Sequence, residues 1–252
     1  MLSKIGRYKN VAEPFHCDVN HRLFMGHLGN HMLNAADFHS TDRGFGMRYL
    51  NTVNKTWVLS RLSIEMEEMP MQYDEFYVET WVESAMRYFT NRNFRVESCD
   101  GRTLGYGRSI WALIDLTSRQ PCNLMDIRDG DLVNWVESEK ECDIARPGRV
   151  KMSKDAPLCH EIVARYSDID VNGHVNSVKY IEHVLDIFPL EEFKAKRLSR
   201  FEIAYVAESH CGDTLRFYKE MTSENNYEVR ITKVNSDNTE TECVRSSIRF
   251  TV

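Results

Sequence analysis

The sequence predicts an α+β fold in which one plan occurs twice, a single helix followed by several long antiparallel strands. The tripeptide Asp-Val-Asn stands at 18–20 and again at 170–172, each time just before a stretch with helical spacing of apolar residues. After each helical stretch the chain continues in runs that alternate apolar with polar residues, which is the pattern of half-buried strands. The repeated order indicates two similar domains in tandem.

In the first half, we predict a strand over residues 10–17 and a helix over 22–40. The helix places Leu28, Met32 and the Ala35/Ala36 pair on one face, at spacings of three and four. The glycines of DRGFG then supply the turn that ends it. The four strands predicted next lie at 56–67, 75–86, 91–99 and 103–116.

The second half repeats this order. A strand is predicted over 160–166, and the helix over 174–188 has a regular apolar face. Its members are Val175, Val178, Ile181, Leu185 and Phe188. The strands that follow are predicted at 200–207, 214–221, 227–234 and 242–252.

A long antiparallel sheet wrapped around one helix is the hotdog plan, so we predict a tandem (double) hotdog. A lone sheet of this kind exposes an apolar edge or face, and a second copy gives it a way to be buried. The predicted domains are an N-terminal hotdog over 1–125, a linker over 126–158 and a C-terminal hotdog over 159–252. The alternative is an unrelated α+β protein with two similar halves.

The amino-acid composition argues against several classes of function. The formal net charge of −6 argues against a surface that attracts nucleic acid or anionic membranes. No apolar run is long enough to span a bilayer, and the polar start MLSKIGRYKN is unlike a signal peptide. The seven cysteines are dispersed and form no CxxC pair, which favours reduced thiols and a cytoplasmic location over disulfides or a zinc site. We expect no metal and no cofactor.

The segment DIDVNGHVN at 168–176 admits two interpretations. Asn172 is a plausible N-cap for the helix that follows, which would make His174 a chance residue of its first turn. The same first turn would place His174 beside free backbone amides that can hold an oxyanion, with an imidazole able to take a proton from water. The ingredients suit acyl transfer to water, but their spacing alone names no substrate.

YSDIDVNGHVNSVKYIEHVLD strongly resembles the signature of plant and bacterial acyl-acyl-carrier-protein (acyl-ACP) thioesterases, in which Asp-x-Asn-x-His-Val-Asn precedes Lys-Tyr-Ile. AYVAESHCGDTL at 204–215 is similar to the family's second motif. TWVLSRLSIEM, YVETWV and RSIWALIDLTSRQP resemble the family's N-terminal hotdog. The resemblance therefore covers nearly the whole chain.

The resemblance implies a catalytic set of Asp170, Asn172, His174 and Glu208. Plant members usually have a cysteine directly after the glutamate, where this chain has Ser209. Cys211 lies two positions further and would share a side with Ser209 along a strand. This departure puts a cysteine nucleophile in doubt, so we favour direct attack by water.

In that scheme Glu208 and His174 activate the water, and the order of their roles stays open. Asn172 positions the water or polarises the thioester carbonyl, and Asp170 orients Asn172 and the loop. Arg22 occupies the place in the first half that matches His174, and a guanidinium stays protonated and cannot act as a base. We therefore predict one active site, in the C-terminal hotdog, with the N-terminal hotdog holding the acyl chain.

The predicted function is hydrolysis of fatty acyl-ACP, which releases free fatty acid and ends chain elongation. A double-hotdog thioesterase acting on acyl-coenzyme A is the alternative, and a hotdog that binds acyl chains without hydrolysing them is a third reading. The expected partner is acyl carrier protein, which is acidic, and the basic run at 194–200 is a candidate surface for it. A homodimer stays open, since fused hotdogs occur alone or paired.

Overall fold

Two similar sets of one main helix and five antiparallel strands make up the structure. The computed structural model describes residues 2–252, and the chain divides into one unit that ends at Arg146 and a second that spans Pro147–Val252. Both main helices and all the predicted sheet strands are present. The predicted α+β class and tandem hotdog plan are confirmed.

The sheet of the first unit has the strand order β1-β3-β4-β5-β2, with every pairing antiparallel. Its strands are β1 (Gly6–Val11), β2 (Lys55–Met66), β3 (Glu75–Ala85), β4 (Phe89–Ser98) and β5 (Thr103–Asp115). The last four agree with the predicted ranges to within two residues. The first strand was predicted too late, because the chain leaves the sheet after Val11 and Pro14 opens a short 3₁₀ turn at Pro14–His16.

Helix α1 (Met25–Asp42) packs against this sheet with the face that the periodicity predicted. Leu28, Met32, Ala35 and Ala36 are all buried. The approach is close at Gly107 in β5, where an added Cβ would meet Met32 Sδ at 3.0 Å. A short helix, α2 (Met47–Leu50), follows α1.

The sheet of the second unit has the strand order β7-β10-β9-β8-β6, again antiparallel throughout. Its strands are β6 (Leu158–Val163), β7 (Arg197–Tyr205), β8 (Thr214–Ser223), β9 (Asn226–Val234) and β10 (Glu240–Thr251). The alternating patterns in the sequence therefore located each of these strands, with differences of up to three residues at the ends.

Helix α3 (Ser177–Asp186) packs on this second sheet, and a short helix α4 (Leu190–Ala195) follows it. The Tyr205 hydroxyl donates to the Ser177 carbonyl at 2.9 Å, which ties the start of α3 to β7. Val178, Ile181 and Val184 are buried on its inner face. The helix is shorter than predicted at both ends.

Some residues of the predicted linker over 126–158 pack in an apolar cluster, and arginine side chains donate to the carbonyl groups of others. Leu124, Ile127 and Leu132 pack with Phe45 and Leu50 in an apolar cluster of the first unit. The following residues have no regular structure, but arginines bind their carbonyl groups. Arg108 donates to the carbonyls of Cys142 (2.7 Å) and Ile144 (3.0 Å), and Arg245 to that of Val150 (3.3 Å). The boundary between the two units falls inside the predicted linker, after Arg146.

Among residues 2–252, no helix has both the length and the apolar character needed to cross a membrane.

Candidate active site

The loop at 168–176 folds into a small closed turn that ends at His174. The Asp170 carboxylate accepts the backbone N–H of Asn172 (2.8 Å) and of His174 (3.4 Å) through Oδ1. The N–H of Asp170 donates to the His174 carbonyl at 2.9 Å, which closes the turn across its base. Gly173 adopts φ +81°, a left-handed conformation that favours glycine. One aspartate side chain thus fixes the backbone of the histidine.

The helix does not begin where the sequence analysis placed it. Its N-cap is Asn176, whose side chain accepts the N–H of Val178 at 2.8 Å, whereas Asn172 was the predicted cap. The turn closed by Asp170 uses the residues that were expected to form the first helical turn. His174 therefore lies before the helix, and the expectation that first-turn amides surround it is wrong.

Glu208 meets His174 from a second loop, which connects β7 to β8. Glu208 Oε2 lies 3.4 Å from His174 Nε2, with 39% of the glutamate side chain and 26% of the histidine side chain exposed. The Val175 N–H donates to the Ser209 carbonyl at 2.8 Å, so the two loops are joined directly beside the pair. Two of the four predicted site residues are thus in contact and accessible to solvent.

The other two predicted residues, Asp170 and Asn172, lie on the turn that carries His174. Asp170 is half-buried and holds the turn, and Asn172 is exposed on it. The side-chain nitrogen of Asn172 is 3.5 Å from Asp170 Oδ2, at the limit of a hydrogen bond. The structure therefore brings Asn172 to Asp170, and it brings His174 to Glu208.

Two residues outside the predicted set, His210 and Lys233, contact this site. The ring of His210 lies edge-on to that of His174, with 5.0 Å between the ring centroids. The backbone N–H of His210 donates to Asp213 Oδ2 at 2.9 Å. Lys233 in β9 donates from Nζ to the Glu208 carbonyl at 2.8 Å. His210 was visible as a second histidine near Glu208, whereas nothing in the sequence connects Lys233 with a residue 25 positions away.

Ser209 and Cys211 do not share a side, as they would along a strand. Residues 206–213 form a loop rather than a strand, so Ser209 is fully buried and Cys211 is exposed. The Ser209 hydroxyl donates to Cys243 Sγ at 3.2 Å. Burial raises the pKa of the Cys243 thiol, which disfavours the thiolate that a cysteine nucleophile needs.

The loop around Asp18 in the first unit repeats this architecture. Asp18 Oδ1 accepts the N–H of Asn20 (2.8 Å) and of Arg22 (3.0 Å), and its own N–H donates to the Arg22 carbonyl (2.7 Å). His21 has φ +60°, matching Gly173. The Leu23 N–H donates to the Pro70 carbonyl at 2.9 Å, as that of Val175 does to Ser209. The two Asp-Val-Asn segments are therefore the same structural joint.

The matching hydrogen bonds align the second loop as well. Because Pro70 corresponds to Ser209, Met69 corresponds to Glu208. Arg22 lies 3.5 Å from Asp18 Oδ2, and Met69 is buried. The first unit thus has neither the imidazole nor the carboxylate at the positions where the second unit has both.

In the basic run at 194–200, which is the suggested surface for acyl carrier protein, Lys194, Lys196 and Arg200 are paired with carboxylates. Lys194 is paired with Glu191 (2.9 Å) and Lys196 with Glu192 (2.7 Å). Arg200 is buried and paired with Glu202 at 2.5 Å. The neighbouring carboxylates offset these charges.

A histidine in contact with a carboxylate can move a proton to or from a water molecule, and both groups are accessible here. No group of three or more His, Cys, Asp or Glu side chains in the described part of the chain, residues 2–252, is arranged to hold a metal ion. The chemistry that the residues themselves support is general acid–base catalysis.

The sequence matches two domain families in the order of the two units. The acyl-ACP thioesterase N-terminal domain matches residues 11–130, and the acyl-ACP thioesterase C-terminal domain matches residues 151–251. A solved acyl-ACP thioesterase from Bacteroides thetaiotaomicron is 50% identical with a TM-score of 0.90, over 98% of each chain.

The matched stretch covers a smaller share of the plant relatives' own length than of the Bacteroides protein's. Chloroplastic oleoyl-acyl carrier protein thioesterase 2 from Arabidopsis thaliana is 28% identical over 92% of this chain and 67% of its own length. A chloroplastic acyl-[acyl-carrier-protein] hydrolase from Cuphea viscosissima is 27% identical over 65% of this chain, and the matched stretch spans only 38% of that protein. With both domain families matched in order, the chain belongs to the acyl-ACP thioesterase family.

Proposed function

We propose that this protein hydrolyses the thioester of fatty acyl-ACP and releases a free fatty acid. The observation that carries the proposal is the contact of 3.4 Å between His174 Nε2 and Glu208 Oε2 at the solvent-accessible junction of two loops. Family membership supports the substrate class, since the relative from Bacteroides thetaiotaomicron is named as an acyl-ACP thioesterase. The free fatty acid would leave the elongation cycle, which assigns the enzyme to fatty acid biosynthesis.

The proposed reaction is direct attack by water. The His174–Glu208 pair takes a proton from a water molecule as its oxygen bonds to the thioester carbonyl carbon. The tetrahedral intermediate then collapses, the carbon–sulfur bond breaks, and the pair returns the proton to the carrier thiolate. The products are one carboxylic acid and one carrier thiol. The exposed side chain of Asn172 can donate to the carbonyl oxygen as negative charge develops there.

Asp170 has a supporting role in this proposal. It holds the N–H groups of Asn172 and His174 with one carboxylate oxygen. The donor and the imidazole are thereby fixed on one turn, so their separation does not depend on a flexible loop. The first unit, which lacks the pair, would hold the acyl chain.

A double-hotdog hydrolase of acyl-coenzyme A uses the same chemistry and is the second candidate. The thioester and the acyl chain are shared, and only the carrier differs. An acyl-binding protein without hydrolytic activity is the third reading. The contact between His174 and Glu208 favours either hydrolase over it, because binding an acyl chain needs no imidazole–carboxylate pair.

Measuring hydrolysis of acyl-ACP and acyl-coenzyme A side by side, over a series of chain lengths, separates the three readings. We expect a higher kcat/KM with acyl-ACP. His174→Ala and Glu208→Gln should each lower kcat by about 10²–10⁴-fold, the usual contribution of a general acid–base group. Arg22→Ala, at the matched place in the first unit, should leave kcat largely unchanged, since that unit lacks the imidazole–carboxylate pair. Inactivity of the wild-type protein on both substrates would refute the proposal.

The cytoplasmic location and the homodimer stay predictions, as does the contact with acyl carrier protein.

A further inference from the structure

A largely buried contact between a histidine and an aspartate ties helix α3 to the loop that carries His174. His183, in the second turn of α3, places Nε2 3.0 Å from Oδ1 of Asp168, with 19% and 9% of the two side chains exposed. The other oxygen of Asp168, Oδ2, accepts the N–H of Arg165 at 2.7 Å. Both oxygens of this carboxylate are therefore engaged, and neither is presented to a substrate.

These contacts hold both ends of the loop. The Asp168 carbonyl accepts the N–H of Asn176 at 2.8 Å, and Asn176 in turn caps α3. His183 thus connects the body of the helix to the first residue of the loop, while Asn176 connects the start of the helix to the same residue. His174 lies between these two attachment points.

The first unit has the same attachment with other residues and weaker contacts. The positions that correspond to Asp168 and His183 are His16 and His31, and the Glu13 carboxylate lies between them. Glu13 Oε2 is 3.3 Å from His16 and 3.8 Å from His31, and its side chain is 47% exposed. The short and buried form of the attachment therefore occurs in the unit that has the His174–Glu208 pair.

We infer that His183 and Asp168 are positioning residues that hold His174 against Glu208. Removing His183 leaves the carboxylate of Asp168 buried without its side-chain hydrogen-bond partner, which is costly, so the loop must shift to expose it. A displacement of His174 by about 1 Å is enough to lower the rate by about 10²-fold. The inference rests on the thioester hydrolysis proposed above, and it adds two residues that do not touch the substrate.

The test compares His183→Phe with His183→Gln, by steady-state kinetics on acyl-ACP at a temperature well below either melting point. Phe removes the donor to Asp168, whereas Gln keeps a neutral one. For His183→Phe we expect kcat to fall by about 10–10²-fold with KM changed by less than about threefold. His183→Gln should recover most of kcat. If His183→Phe fails to fold, Asp168→Asn takes its place, since it keeps the shape and one acceptor.

The matched control is His31→Phe, which alters the corresponding attachment in the first unit and should lower Tm without lowering kcat. A His183→Phe protein that keeps kcat within about twofold while losing Tm would show a structural role only and would overturn the inference; this threshold is well below the usual effect of a supporting residue.

A second measurement does not depend on activity. The imidazole signals of His174 in a histidine-labelled sample, assigned with His174→Ala, should shift in His183→Phe and return in His183→Gln. If these signals stay unchanged, the inference fails even if the wild-type protein is active. If they shift while the wild-type protein hydrolyses neither acyl-ACP nor acyl-coenzyme A, the positioning holds and the proposed function fails.

Discussion

Each of the two loops that meet at the site is shaped by an aspartate. Asp170 accepts two N–H groups of the turn that ends at His174. Asp213 accepts the N–H of His210 in the loop that carries Glu208. Short polar side chains bonded to nearby backbone can fix a loop without regular structure. The histidine and the glutamate are thus held by local hydrogen bonds as well as by the sheet.

Lys233 is predicted to matter for catalysis although it is far from the motif. Lys233→Met removes the donor to the Glu208 carbonyl at 2.8 Å, so the loop is less well held. We expect kcat to fall by about tenfold, within the usual range for a residue that supports a catalytic group. Steady-state kinetics check this. The matched control is Lys219→Met, since Lys219 donates to the Ile187 carbonyl at 3.2 Å and should leave kcat unchanged.

The thiol and hydroxyl near Glu208 are predicted to be dispensable. Cys211→Ala and Ser209→Ala should each keep kcat within about threefold, because water rather than a side chain attacks the thioester and losing one buried hydrogen bond costs only about 1 kcal/mol of stability. Treating the wild-type protein with a thiol reagent in the same assay gives an independent check. A Cys211→Ala protein without activity would mean that the water mechanism is wrong.

At the scale of elements, the helix start is where prediction and structure differ most. Asn172 was the predicted cap, and the structure uses Asn176, four residues later, before the same apolar face. The chain uses Asn176 because Asp170 first closes a turn over the preceding residues. The consequence is functional, since His174 is placed on a turn that faces the second loop and is not part of the helix.

Asn176→Ala should destabilise the second unit. The change removes the side-chain acceptor of the Val178 N–H, and loss of an N-cap costs about 1 kcal/mol. A loss of this size lowers Tm by about 2–4 °C in a chain of 150–250 residues. Asn176→Asp should keep the stability, since it retains the acceptor and adds negative charge at the helix N-terminus. Thermal unfolding of both variants tests this, and equal losses would contradict the assignment of the cap.

At the scale of the whole molecule, the chain uses one architecture twice and places the imidazole–carboxylate pair in one copy. The joints at Asp18 and Asp170 share their hydrogen bonds, while His174 and Glu208 are matched by Arg22 and Met69. A backbone plan can be repeated without its side chains, because the hydrogen bonds that define it come mostly from the main chain and one aspartate. The unit without the pair is then free to serve another purpose.

The pH dependence of the protein's stability is predicted to involve Glu228 in β9, which pairs with Glu220 in β8 and with Ser247 in β10, while Glu202 in β7 pairs with Ser247 from the other side of β10. Burial, followed by the charges of the two glutamates, raises the pKa of Glu228 to about 7 against the hydrogen bond with Ser247, while the unfolded value is 4.5. Between these values unfolding releases a proton, so this group makes stability fall as pH rises from 4.5 to about 7.

Glu228→Gln removes the ionisable group and with it this loss of stability as the pH rises. Its gain in Tm over the wild-type protein should therefore be larger at pH 8 than at pH 5. Discounted for partial exposure, the difference is about 1 kcal/mol, or about 2–4 °C. Thermal melts at both pH values measure it. Glu224→Gln, on the exposed end of the same hairpin, should change Tm equally at both. A gain for Glu228→Gln that is independent of pH would contradict the raised pKa.

The sequence by itself determined the element order, the repeat and the motif residues Asp170, Asn172, His174 and Glu208, but not their neighbours His210 and Lys233. Strand alternation and helix periodicity are local properties, so they could be read from neighbouring residues. The tertiary structure decided which of these residues meet. The contact of Glu208 with His174 joins two loops, and the bond from Lys233 depends on the register of β8 and β9. The contact of His183 with Asp168 joins the second turn of α3 to the start of the loop. Such contacts join residues distant along the chain, and their geometry is set by packing and hydrogen bonding of the whole unit, which local sequence does not encode.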